Sequence, residues 1–160
     1  MKKTLFLAFV LTATTGLFVP NSHASANENG TLPYISANNS FPPTRADIVR
    51  HTFEISNPNN SKQISQIMIQ VPEVVKWSNK TKDVVVTDKS GKKVNANVSI
   101  KDQNIELNFP ESIAPGSELE IDIKNIERVT QGNGPVYRLF AKFDPNSTPM
   151  SIGIARFRLY

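Results

Sequence analysis

The sequence predicts an all-β protein, an immunoglobulin-like antiparallel β-sandwich of about eight strands. Three observations carry that expectation. From Val49 onward apolar and polar side chains alternate with a period of two, most plainly over residues 104–126. There Ile105, Leu107 and Phe109, and then Leu119, Ile121 and Ile123, alternate with Asn, Glu, Asp and Lys. Turn-forming clusters of Pro, Gly, Asn and Asp recur roughly every 8 to 14 residues, and no amphipathic helical pattern runs beyond a turn or two. Strands with one apolar and one charged face must bury the apolar face against a second layer, which a sandwich supplies.

The elements follow in order. Residues 1–26 read as a secretory signal peptide: Lys2 and Lys3, a mostly apolar run from Leu5 to Val19, then the small-residue pattern Ala24-Ser25-Ala26. The mature chain is expected to begin at Asn27, or at Ser25 if cleavage follows Ala24. Residues 27–43 are rich in Asn, Ser and Pro and read as an irregular lead-in that tucks Tyr34 or Phe41 against the sandwich. The sandwich domain is expected over residues 44–160. Its first strand, 49–56, puts Val49, His51, Phe53 and Ile55 on one face; the second, 64–71, points Ile67, Ile69 and Val71 inward and Gln66, Met68 and Gln70 outward. Residues 73–82 are expected as a loop with at most one helical turn or a short strand. Residues 83–88 and 93–100 flank a hairpin turn at Lys89-Ser90-Gly91-Lys92. Strands at 104–109 and 118–126 flank a wide turn in which Pro110, Pro115 and Gly116 stop the ladder. After a polar connection, strands 136–143 and 152–160 close the domain.

Composition narrows the function classes. There is no cysteine, so an exported core must hold without disulfides. Removing Lys2 and Lys3 from 18 basic residues leaves 16 against 14 acidic, a net charge of +2 that calls for no nucleic acid. No second hydrophobic segment follows the leader, so no transmembrane segment is expected after cleavage.

Few residues point to chemistry. One histidine, His51, remains after the leader, on an apolar strand face; the expectation is a structural imidazole at the core edge, hydrogen-bonded to backbone. With one His and no Cys, transition-metal ligands are lacking. Asp83, Asp88, Asp102 and Asp144 are oxygen donors for calcium in type but not in spacing, and no cofactor is expected. Glu118, Glu120 and Asp122 form a carboxylate stripe that reads as a solvated sheet face. Arg138, Lys142, Arg156 and Arg158 fall on one outer face if the last two strands are neighbours, with Phe140 and Ile154 among them. That is a candidate anion-binding face. Its bland counterpart has Glu118, Glu120 and Asp122 opposite it across a ladder, neutralising it. Trp77, beside Lys76, Lys80 and Lys82, is either a contact residue or a plug on the end of the sandwich.

The runs IELNFPESIAPGSELEIDIKNI and GPVYRLFAKFDPNSTPMSIGIARFRLY resemble the exported, mostly cyanobacterial family known as domain of unknown function 2808. Pro110, Ile113, Pro115, Gly116, Tyr137, Pro145, Gly153, Ala155, Arg156, Phe157 and Tyr160 stand where that family's turn and closing-strand motifs fall. FPPTRADI at residues 41–48 and the later HTFEI match its opening more loosely. The resemblance implies export and an all-β domain; it brings no activity or catalytic residue. The expected protein is therefore a non-catalytic sandwich, secreted or periplasmic, that binds or acts structurally, with an envelope protein or anionic envelope polymer as partner. The alternatives are an anion- or polysaccharide-binding module using the basic face, and a hydrolase with a shallow carboxylate site.

Overall fold

The alternating runs become nine strands among the residues described by the computed structural model, 30–43 and 46–159; the expected leader lies outside them. They are β1 (Tyr34–Phe41), β2 (Ile48–Ser56), β3 (Ile64–Gln70), β4 (Val84–Asp88), β5 (Asn97–Lys101), β6 (Asn104–Ile113), β7 (Glu118–Glu127), β8 (Val136–Lys142) and β9 (Met150–Arg156). Sheet one has the order β1-β2-β7-β4 and sheet two the order β5-β6-β3-β8-β9, with every pairing antiparallel. The fold is the immunoglobulin-like sandwich that the alternation predicts. Phe53 and Ile121 from sheet one meet Ile67, Ile105, Leu107 and Leu139 from sheet two, all fully buried.

The ninth strand is β1, in the stretch expected to be irregular. It pairs with β2 from Tyr34↔Ser56 to Phe41↔Arg50, broken by a register shift between Ile35 and Ala37. As an edge strand with a polar outer face it lacks the apolar alternation that marks a half-buried strand, so its Asn and Ser residues conceal it.

Two further boundaries differ from expectation, the end of β6 and the start of β5. β6 runs through Pro110 to Ile113, because its register against β3 shifts between Ile64 and Gln66 and an irregular ladder tolerates a proline. The two strands of residues 104–126 then lie in opposite sheets, so the turn between them crosses the sandwich. The turn at 89–92 forms, with Gly91 at φ +81°. Its arms soon part, however: Val94 donates to the Val86 carbonyl at 2.9 Å, Thr87 bridges Lys93, and residues 95–96 cross to sheet two, where β5 begins only at Asn97.

Two glycines show why the turns take these residues. Gly116, at φ +79°, donates to the Asn57 carbonyl at 2.7 Å, and a Cβ there would stand 2.3 Å from Asn59 Oδ1. Buried Asn57 in turn donates through Nδ2 to the carbonyls of Lys62 (3.1 Å) and Ala114 (3.0 Å), stitching the β2–β3 loop to the β6–β7 turn. Gly134, at φ +80°, lies so close to the Phe157 carbonyl that a Cβ would meet it at 1.9 Å. That approach seats Phe157 in the core.

Candidate binding face

The polar groups inside the sandwich are structural. His51, from sheet one, stacks on Phe157 with centroids 3.9 Å apart, and its Nδ1 is 2.8 Å from the Tyr137 hydroxyl of sheet two. The partner is thus a side chain, where backbone was expected. Phe53 packs edge-on against both Tyr137 and Phe157. Burial, together with the Arg128 guanidinium, pulls the His51 pKa down to about 4, so the ring is neutral near pH 7. Burial also raises the Tyr137 phenol above its ordinary range. The imidazole is sealed on the inner face of the sheet, away from any surface carboxylate.

The acidic candidates are spent on local structure. Asp88 accepts from the Ser90 and Lys92 amides and from Ser90 Oγ, capping its turn, and Asp144 accepts from the Asn146 amide. Asp83 accepts from Ser78 Oγ, which holds its carboxyl below the usual range, and Asp102 occupies a turn at φ +54°. Among the described residues no group of three or more His, Cys, Asp or Glu could hold a metal ion.

The carboxylate stripe lies on the outer face of sheet one. Asp122 accepts from Thr52 Oγ1 at 2.6 Å and stands 3.3 Å from Arg50 Nε, while Glu118 pairs with Lys89 at 2.8 Å. Glu54, Glu118 and Glu120 line a shallow cleft of about 310 Å³ with Lys89, and Glu54 and Glu120 sit directly opposite in register. Trp77 is half-buried, bridges Ile126 and packs on the core, the arrangement of a plug, with Lys76 and Lys80 exposed around it.

The basic candidates come together on sheet two. β8 and β9 are neighbours, with Arg138 opposite Ile154 and Val136 opposite Arg156. Because Tyr137, Leu139 and Ala141 are buried, Arg138, Phe140 and Lys142 point outward. Arg158 is exposed just beyond β9. The neutralising ladder does not exist, since the carboxylate stripe belongs to the other sheet. Among the described residues none of these four cations has an ion-pair partner.

The structure adds residues that sequence reasoning left unconnected. The registers place Gln66 beside Lys142, Met68 beside Phe140 and Gln70 beside Arg138, and continue to Asn108, Glu106 and Asn104 on β6 and Lys101 on β5. Glu106 lies opposite Met68 on this face, within 3.4 Å of Gln66 Nε2, and β6 carries a second carboxylate, exposed Glu111, near its end. The outward set on β3 was legible; its neighbours were not, because strand order is a long-range property. Ile154 is 63 % exposed, so the face carries apolar as well as cationic surface.

Residues 27–155 match the model of a family described as a protein of unknown function, DUF2808. No curated protein matches. Among solved structures the chain is similar to one in a crystal structure of the RrgA Jo.In complex, at 11% identity and TM-score 0.53, covering 76% of this chain and 77% of that one. It also matches the collagen-binding domain of a Staphylococcus aureus adhesin at 11% identity and TM-score 0.49, over 82% of this chain and 98% of that one. The first likeness is one of fold alone.

Proposed function

The chain belongs to the DUF2808 family, and we propose that this member is an exported, non-catalytic binding module whose working surface is the outer face of sheet two, engaging an anionic partner in the cell envelope or outside the cell. One observation carries the reading: Arg138, Lys142 and Arg156 stand on one sheet face beside Phe140, Met68 and Ile154 with no carboxylate paired to them. Cations that stabilise nothing within the fold, set among apolar side chains, suit an interface better than a solvated surface. The Staphylococcus aureus domain is named for binding collagen, and no partner carries over from it to this chain.

The test is retention on a sulfonate matrix. The exported protein should elute at higher salt than its net charge of +2 warrants, and Arg138→Glu with Arg156→Glu should abolish the excess without changing the circular dichroism. Equal retention of wild type and variant would reject the face. Export itself is checked by N-terminal sequencing of protein recovered outside the cytoplasm, which should begin at Asn27 or Ser25.

The hydrolase reading keeps one observation, the shallow cleft lined by Glu54, Glu118 and Glu120. It requires glycoside turnover that Glu120→Gln destroys. The binding reading expects no turnover in either protein.

A further inference from the structure

Resting on the reading of sheet two as an anion-binding face, we infer that the ligand is an acidic polysaccharide, a chain of hydroxyl-bearing rings with carboxylate or sulfate groups, lying along β8 from Lys142 to Arg138. Each of these cations lines a cleft at one end of the strand. Lys142 borders a cleft of about 480 Å³ with Gln66, Asn108, Ser65 and Phe143. Arg138 borders one of about 330 Å³ with Gln70, Gln103, Pro72 and Val136. The cations stand four positions apart, about 13 Å along an extended strand, with Phe140 and Met68 between the clefts. A ligand reaching both must be extended and carry repeated negative charge.

The polar groups beside the cations separate a sugar from other polyanions. Exposed Asn108 accompanies Lys142, with Gln66 between them buried and donating to Glu106, and Gln70 and Asn104 extend the row of Arg138 toward Lys101. Carboxamides both donate and accept, which matches hydroxyl groups; an ionised phosphate or carboxylate is an acceptor and leaves the amide oxygens idle. Gln103 lines the second cleft as a further carboxamide. A membrane surface fits less well, because Phe140 and Met68 are half-buried within the sheet and only Ile154 stands well out. Each cleft is also lined by one acid, Asp144 in the first and Glu73 in the second, with Asp144 engaged by the Asn146 amide.

The experiment titrates the exported protein with polygalacturonate, phosphatidylglycerol vesicles and poly-glutamate at two salt concentrations. Polygalacturonate should bind best; Arg138→Gln and Lys142→Gln should each weaken it about tenfold, as loss of a charge-assisted contact does. Asn108→Ala should weaken the polysaccharide several-fold and leave any vesicle or poly-glutamate binding unchanged, which a purely electrostatic face would not show. Lys124→Gln, on sheet one, should change nothing. If vesicles or poly-glutamate bind as well as polygalacturonate, or Asn108→Ala is silent, the polysaccharide assignment falls and the anion-binding face survives. If no polyanion binds, or the charge variants bind like wild type, both fall.

Discussion

The two outer faces of the sandwich use charge in opposite ways. On sheet one Asp122 is settled between Thr52 and Arg50 and Glu118 against Lys89, while Glu54 and Glu120 face each other across the ladder. On sheet two Arg138, Lys142 and Arg156 are settled by nothing in the described chain, and the side chains between them are amides and apolar groups. A charge that is both answered and buried contributes to the fold; a cation left open is available to something else. The contrast therefore separates stability from binding, and perturbing each face should move one quantity and spare the other.

The largest expected effect comes from the joint the faces share. His51 belongs to sheet one and Tyr137 to sheet two, and their contact is buried. With its pKa lowered from 6.5 to about 4, folded His51 refuses a proton that the unfolded chain accepts. Stability is complete above pH 6.5 and falls as pH drops toward 4, by about 1.4 kcal/mol per unit and roughly 3 kcal/mol in all. Urea titrations at pH 7 and pH 4.5 measure the loss, and His51→Gln should flatten that part of the profile. Any loss of ligand in this range that outruns unfolding would break the separation of the faces.

Next in size is Asp122→Ala. It strips a buried carboxylate from Thr52 and Arg50 and should cost about 2 kcal/mol, read as a lower urea midpoint with an unchanged slope. Arg138→Ala is the matched change on the other face. It should stay within about 0.5 kcal/mol of wild type, because nothing in the fold is paired to it, while retention on the sulfonate matrix drops. If Arg138→Ala destabilises as much as Asp122→Ala, sheet two is a structural face after all.

How much of this was legible follows from the range of each signal. Alternation is local, so the facing of residues on β2, β3, β6, β7 and β8 could be read directly, and the gathering of Arg138 with Arg156 required only that two consecutive strands pair. β1 escaped because an edge strand of Asn and Ser carries no period. The neutralising role expected of Glu118, Glu120 and Asp122 failed for a different reason: which sheet a strand joins is decided by long-range pairing, and β7 lies between β2 and β4. For the same reason Gln66, Met68 and Gln70 could be seen to point outward but not to stand beside Lys142, Phe140 and Arg138. Gly116 and Phe157 stand at turn and closing-strand motif positions, and the structure gives the contacts that hold them there.

The smallest expected effect is also the most discriminating for the settled face. Lys89 and Glu118 meet at 2.8 Å, a better distance than Arg50 and Asp122, yet both side chains are well exposed, at 77% and 49%. Water and salt screen such a pair, and holding two long side chains in one geometry costs entropy that cancels most of the attraction. Lys89→Met should leave the urea midpoint where it was, in low salt and in high. Burial, more than closeness, would then be what makes a charge on sheet one structural. By that measure the exposed cations of sheet two would add little to the fold even if each were given a carboxylate, and a midpoint that falls in Lys89→Met at low salt and recovers at high salt would contradict it.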